Sequence, residues 1–221
     1  MKESTNRTLI TNPKNIICIG LNYADHIEET SLATHDFPEI FMKTSNALAS
    51  HQDIVPIQDE NLHYDYEGEL VIVIGKAGKN ISREQARDHI LGYTIGNDVS
   101  ARVLQFRGSQ WILGKSLDNF APIGPTIVSP DDFDFDNATI TTTANGEIRQ
   151  QAKLQQMMFK PDAIIEFVSQ FITLQEGDII FTGTPSGVVL GKNEKRYGWL
   201  KSGDTVSISI SGIGTLVNQF K

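Results

Sequence analysis

The chain has 221 residues, 19 basic and 27 acidic, giving a formal net charge of −8 and an isoelectric point near 5.1. That length suits one domain, residues 1–221, and the acidic balance excludes the basic footprint of a nucleic-acid binder. The apolar runs are too short to span a bilayer, and the opening Met-Lys-Glu-Ser-Thr-Asn-Arg has no apolar signal segment, so neither membrane nor nucleic acid is expected as a partner and the expected address is cytoplasmic.

In chain order, Ile16-Ile17-Cys18-Ile19 belongs to a strand over 15–19 that stops at Gly20, with Cys18 as a small buried hydrophobe. A helix after Asn22 would place His26 and Glu29 at i, i+3, where they can meet. A carboxylate beside an imidazole raises its basicity and orients it, which prepares a histidine to take a proton from water. An exposed helix carrying an ordinary histidine fits the same pattern. The stretch from Thr30 to Asp36 has no strong periodicity and reads as part of a flap, a lid over about 22–36.

Next comes Asp65-Tyr66-Glu67-Gly68-Glu69-Leu70, leading into the β-branched run Val71-Ile72-Val73-Ile74 and closed by Gly75. Residues 66–74 therefore read as a buried strand, with Glu67 and Glu69 on one face about 7 Å apart. Two carboxylates that close at the head of an apolar strand repel each other and lose hydration, so they need a cation or strong donors. With no His or Cys nearby, the cation would be hard: Mg²⁺ or Mn²⁺, with Ca²⁺ third. A solvated strand head is the competing reading. Ser82 and Gln85 have capping-box spacing and open a helix, and 92–98 reads as a strand ending in the acid Asp98.

Lys115 lies among apolar residues and glycine in Trp111-Ile112-Leu113-Gly114-Lys115-Ser116, a partner for a substrate carboxylate or a developing enolate, or else a snorkelling surface lysine. Residues 122–128 look like a short extended piece interrupted by prolines, and Asn145-Gly146 predicts a type I′ turn between strands at 138–144 and 147–151. Pro161 opens a helix with Ile164, Phe167, Val168 and Phe171 on one face. Strands follow at 178–182, 205–211 and 215–220. Between them Thr182-Gly183-Thr184-Pro185-Ser186-Gly187 reads as a turn whose N–H groups, with the Thr184 hydroxyl, suit an anionic oxygen, although a simple turn has the same composition. Many strands and a few short helices predict a β-rich α+β domain.

Together, Gly20-Leu21-Asn22-Tyr23-Ala24-Asp25-His26, Asp65-Tyr66-Glu67-Gly68-Glu69-Leu70, Asn97-Asp98-Val99-Ser100-Ala101-Arg102, Gly114-Lys115-Ser116, Asn145-Gly146-Glu147 and Thr182-Gly183-Thr184-Pro185-Ser186-Gly187 resemble the fumarylacetoacetate hydrolase family. The resemblance implies a mixed β-roll, usually homodimeric, with one Mg²⁺ or Mn²⁺ bound by Glu67, Glu69 and Asp98. It implies that His26 and Glu29 form a water-activating pair on a lid, and that Lys115 and Thr184, with Gln105 and Asn145 as weaker matches, contact a small 2-oxo acid substrate. Leu21 stands where relatives reading Gly-Arg-Asn-Tyr carry an arginine, so a substrate carboxylate held there would need another partner. The chain is similar to the compact group of acylpyruvases, oxaloacetate decarboxylases or tautomerases, and hydroxymuconate-type isomerases.

The expected chemistry breaks a bond at C3 of a 2-oxo acid through a metal-stabilised enolate. Hydrolysis of acylpyruvate-like 2,4-dioxo acids, with oxaloacetate decarboxylation as a companion activity, is the leading expectation. An isomerase or tautomerase of 2-hydroxy-dienoate or oxaloacetate type is the alternative, and a non-catalytic metal-dependent binding protein is the reading from another class.

Overall fold

The computed structural model of the chain describes residues 12–30 and 36–221. Seven strands form one mixed sheet, in spatial order Glu39–Lys43, Ile16–Gly20, Ile179–Phe181, Gly68–Ile74, Ile90–Asn97, Ala121–Val128 and Leu48–Ser50. A second sheet runs Glu147–Lys153, Thr139–Ala144, Thr205–Ile210, Gly214–Phe220 and Ile54–Val55, and a two-stranded ribbon joins Tyr64–Asp65 to Ser100–Ala101. Most neighbours are antiparallel; Ile16–Gly20 with Ile179–Phe181, Leu48–Ser50 with Ala121–Val128 and Gly214–Phe220 with Ile54–Val55 are parallel. The second sheet curls over the first, Gly214–Phe220 lying on Ala121–Val128 and Ile90–Asn97.

The predicted apolar runs supply the centre of this roll. Leu70 to Ile74 are all buried, because the strand has a sheet neighbour on each side and packing on both faces, which is why its sequence reads as a continuous hydrophobic run without alternation. On the outer strands Thr139–Ala144 and Thr205–Ile210, by contrast, buried and half-exposed residues alternate. Helix Pro161–Phe171 buries Ile164, Ile165 and Val168 and leaves Phe171 exposed. The remaining helices, such as Ala24–Thr30 and Ile112–Lys115, are one or two turns long. Among the described residues no helix is long and apolar enough to cross a membrane.

Three local expectations change. Residues 121–128 form one strand in spite of Pro122 and Pro125, because the pairing with Ile90–Asn97 shifts register between Tyr93 and Ile95 and frees the positions where proline cannot donate. The helix after Ser82 is only Arg83–Ala86, and no capping box forms, since the Ser82 side chain bonds Glu84 instead. Regular pairing starts at Gly68, not at 66, so Glu67 sits just before the strand. The Asn145-Gly146 turn is as read, with φ of 52° and 81° at the two residues. Of the lid over 22–36, residues 24–30 are helix and 31–35 lie outside the described residues.

Candidate metal centre and active site

Strand pairing brings the acids together. Gly68 faces Asn97 in register, so Glu67, Glu69 and Asp98 converge at one end of the two central strands. The Asp98 N–H donates to the Glu67 carbonyl (2.9 Å) and the Glu67 N–H to Asn97 Oδ1 (3.0 Å), holding both acids just beyond the regular ladder. One oxygen from each of the three carboxylates lies within 4.8 Å of the others, and all three side chains are buried.

Three cations crowd this cluster. Lys115 Nζ bridges Glu67 Oε2 (2.7 Å) and Asp98 Oδ2 (2.9 Å). Lys43 Nζ contacts Asp98 Oδ1 (2.6 Å) and donates to the carbonyls of Val99 (3.0 Å), Phe120 (2.8 Å) and Lys115. Arg102 contacts Glu67 Oε1 (2.7 Å) and forks onto Asp65 Oδ2 (2.9 and 2.7 Å). Burial pushes the Glu67 carboxyl up, but Lys115 and Arg102 outweigh it and hold the group well below the usual carboxylate range. Burial lowers the Lys115 ammonium, yet Asp98 and Glu67 more than offset that and raise it above the ordinary lysine value. For Lys43 burial wins and the pKa falls.

Glu69 is different. It accepts the Gly183 N–H (2.7 Å), and among the described residues it has no salt-bridge partner. Burial, reinforced by Asp98 and Glu67, pushes its carboxyl well above the ordinary value. A divalent ion is the species that would let it ionise in place. Three oxygen donors at this spacing, one of them without counter-charge, fit a hard dication, so Glu67, Glu69 and Asp98 are the residues that would hold Mg²⁺ or Mn²⁺, with Ca²⁺ third.

The pocket over this cluster is lined by His26, Gln105, Lys115 and Thr184 and walled by Leu21, Phe41 and Trp111. The space left is about 20 Å³, room for one water, so a four-carbon acid enters only by displacing part of the lining. His26 is buried and, among the described residues, its Nδ1 has no hydrogen-bond partner. Glu29 Oε2 lies 3.7 Å away, too far for a hydrogen bond, because the Glu29 carboxylate takes the Gly187 N–H (3.0 and 3.1 Å) and the Asn193 amide. Gln105 Oε1 accepts from Arg102 Nη1 (2.9 Å), so the end it can offer a ligand is its amide NH₂. Thr184 donates to the Gly68 carbonyl (3.0 Å) and accepts from Gln150 (2.8 Å), tying the turn to the acid-bearing strand. The N–H groups of Gly183 and Gly187 hold Glu69 and Glu29, so this turn positions carboxylates where the sequence suggested an anion cradle. Asn145 is not brought to the pocket; its amide bonds Asp204 (2.9 Å) at the far end of the second sheet.

Sequence reasoning missed the roles of Lys43, Asp65, Arg102 and Asn22. Buried Asp65 takes the N–H groups of Tyr66, Val189 and Leu190 as well as Arg102, and so pins the 187–190 loop to the strand head. Asn22 clamps the Thr182 and Phe159 carbonyls (2.7 and 2.8 Å). Leu21 takes a left-handed φ of 56° at the pocket wall, putting an apolar side chain where the family pattern offers arginine. The cations that line the pocket are Arg102 and Lys115.

The curled mixed roll thus sets three buried carboxylates that would hold a divalent ion beside a lysine and an imidazole at one sheet end. Residues 15–221 match the fumarylacetoacetate (FAA) hydrolase C-terminal family, and the chain belongs to that family. It is 44% identical over 212 residues to the mitochondrial oxaloacetate tautomerase fahd2 of Xenopus laevis, covering 95% of this chain and 66% of the frog protein. Among solved structures, the 5-carboxymethyl-2-hydroxymuconate delta-isomerase of Mycobacterium smegmatis aligns with a TM-score of 0.83 at 38% identity, covering 94% of this chain and 78% of that one. The fumarylpyruvate hydrolase of Pseudomonas aeruginosa, solved in complex with Mn²⁺ and pyruvate, aligns at 0.84 and 32%, covering 94% and 89%. The named activities of the frog and mycobacterial relatives are proton-moving, which shifts the weight from the expected C–C hydrolase to the tautomerase or isomerase alternative.

Proposed function

We propose that this chain is a divalent-metal-dependent tautomerase or isomerase of small 2-oxo diacids, of oxaloacetate or hydroxymuconate type. The observation that carries the reading is buried His26, which lines the same pocket as Glu67, Glu69 and Lys115 and whose Nδ1 has no hydrogen-bond partner among the described residues. A divalent ion held by Glu67, Glu69 and Asp98 supplies Lewis-acid stabilisation of negative charge on the 2-oxo oxygen. His26 takes the proton from C3; the C3–H electron pair becomes the C2–C3 double bond, and the same proton returns to O2 for tautomerisation or to a more distant carbon for isomerisation. Lys115, kept an ammonium by its two carboxylates, attracts the enolate charge, and Gln105 donates its amide to a substrate oxygen. Phe41, Trp111 and Leu21 exclude water. With Glu29 committed to Gly187, the His26–Glu29 pair is not set as a water-activating dyad, which favours proton transfer over hydrolysis.

Hydrolysis of 2,4-dioxo acids is the second reading. It is favoured by the likeness to the fumarylpyruvate hydrolase and by the 3.7 Å between His26 Nδ1 and Glu29 Oε2, which sets an imidazole and a carboxylate side by side. The homodimer and the cytoplasmic address belong to the proposal too, although the frog relative is by name mitochondrial. The test uses metal-stripped protein reloaded with Mn²⁺ or Mg²⁺, following enol–keto interconversion of oxaloacetate above the metal-only background. Metal-dependent turnover that falls about 10²–10⁴-fold in His26→Ala supports the reading. Turnover indifferent to both metal and His26 refutes it.

A further inference from the structure

A second cavity, of about 210 Å³, opens between the Asn145-Gly146 hairpin and the 197–201 segment, and it shares no lining residue with the carboxylate pocket. Its wall includes Tyr66, Arg149, Tyr197, Trp199, Lys201 and Asp204. Arg149 is the anomaly. Its side chain is only 10% exposed, and both Nε and Nη1 are buried without a hydrogen-bond partner among the described residues. A guanidinium is always charged, and three N–H donors left unpaired away from water cost several kcal/mol of desolvation, on the order of 1–3 for each group. What the chain itself offers is small. Nη2 reaches Glu147 (3.2 Å), whose side chain is 59% exposed and screened, and the guanidinium stacks over the Tyr197 ring (3.9 Å), with Arg196 also near that ring (4.9 Å). Asp204 also lines the cavity, but its two oxygens accept from the Asn145 amide and the Lys201 N–H (2.9 Å each), and the acid that Arg149 reaches is Glu147.

We propose that this cavity is a binding site for a small anion, a phosphate- or carboxylate-bearing metabolite, held by the Arg149 guanidinium, whose buried Nε and Nη1 reach its oxygens when the group turns toward the cavity, with Lys201 at the rim and Tyr197 and Trp199 as apolar walls. The volume suits it: at about ten times the space left in the carboxylate pocket, the cavity has room for a phosphate or a four-carbon diacid. The site is wired to the catalytic end. The Tyr66 hydroxyl donates to the Gly187 carbonyl (2.8 Å), and a Cβ on Gly187 would lie 2.0 Å from the Arg149 carbonyl, so the two segments are in direct contact. Gly187 is the residue that holds Glu29.

The chain's two tryptophans divide between the pockets, Trp111 at the acid cluster and Trp199 here, so Trp111→Phe leaves a single reporter. Metal-stripped Trp111→Phe protein is titrated with inorganic phosphate and, separately, with succinate, against sodium chloride of equal ionic strength. In parallel the unmodified chain and its Arg149→Met and Arg149→Lys variants are melted with and without each anion. Saturable change of Trp199 emission by phosphate, succinate or both supports the site and says which oxyanion it takes. In the melts, an anion-dependent rise of Tm that is kept in part by Arg149→Lys and weakened about tenfold or more in concentration dependence by Arg149→Met supports the same conclusion. Emission that does not respond to either anion, or equal Tm shifts in the unmodified chain and Arg149→Met, overturns it. Because neither readout uses turnover or metal, failure here leaves the isomerase proposal standing.

Discussion

Replacing Lys43 by methionine tests the electrostatics of the acid cluster most sharply. The Lys43–Asp98 pair is 2.6 Å long with side chains 0% and 1% exposed, so it belongs to the buried class in which removing one partner strands the other charge and costs about 3–5 kcal/mol. The Val99 and Lys115 carbonyls also lose the ammonium, while Phe120 keeps the Val99 N–H (3.1 Å). At about 2–4 °C per kcal/mol for a chain of this size, the metal-free Tm should fall by roughly 6–20 °C. The second half of the expectation has the opposite sign. Asp98 is left with Lys115 as its one ammonium, so an added dication meets less competing positive charge, and the Tm gain on saturation with Mn²⁺ should exceed that of the unmodified chain. Differential scanning calorimetry with and without Mn²⁺ reads both numbers. A metal-free Tm within about 2 °C of the original, with an unchanged Mn²⁺ gain, would refute the claim that Lys43 neutralises Asp98.

Further expectations concern neighbouring residues. Glu69→Gln removes a carboxyl that burial and two neighbouring acids oppose, so the metal-free Tm should hold or rise while the Mn²⁺-induced gain is lost; an unchanged gain would exclude Glu69 as a ligand. Gly68→Ala would place a Cβ 2.2 Å from Thr142 Oγ1 and should cost about 1–3 kcal/mol, largely recovered in the Gly68→Ala/Thr142→Ala double variant because Thr142 Oγ1 has no hydrogen-bond partner to lose. A single variant as stable as the parent in urea melts would contradict that packing. Burial pushes the Tyr93 hydroxyl up to about 12 from 10.0, so above pH 10 the unfolded chain gives up this proton first and stability is lost as the pH rises through that window, by about 2–3 kcal/mol. Tyr93→Phe should lack this part of the alkaline loss, and a pH–stability curve that stays parallel to the parent's from pH 9 to 12 would contradict it.

The sequence shows the strands and the acids because both follow local rules. Leu70 to Ile74 is continuously apolar since it is buried on both faces, and Glu67, Gly68 and Glu69 stand out against that run. His26 and Glu29 are one helical turn apart, so their proximity is a matter of spacing alone. Lys43 leaves no such mark: a lysine closing a five-residue strand looks solvated, and it is buried only because carbonyls and an acid from residues 98–120 close over it. The fork of Arg102 on Asp65 and Glu67 likewise joins segments far apart in the chain. Thr184 and the glycine N–H groups have the right chemistry for an anion, but which oxygen they meet depends on where Gly68, Glu69 and Glu29 arrive in space.

The central claim is most directly tested on metal-stripped and Mn²⁺- or Mg²⁺-reloaded protein by offering oxaloacetate and an acylpyruvate side by side, following the enol absorbance of oxaloacetate and resolving cleavage products by mass. The account predicts metal-dependent interconversion of the oxaloacetate tautomers with no change of mass, abolished by Asp98→Asn. Metal-dependent cleavage of the acylpyruvate to pyruvate and a free acid, with no acceleration of oxaloacetate tautomerisation, would contradict it and establish the hydrolase.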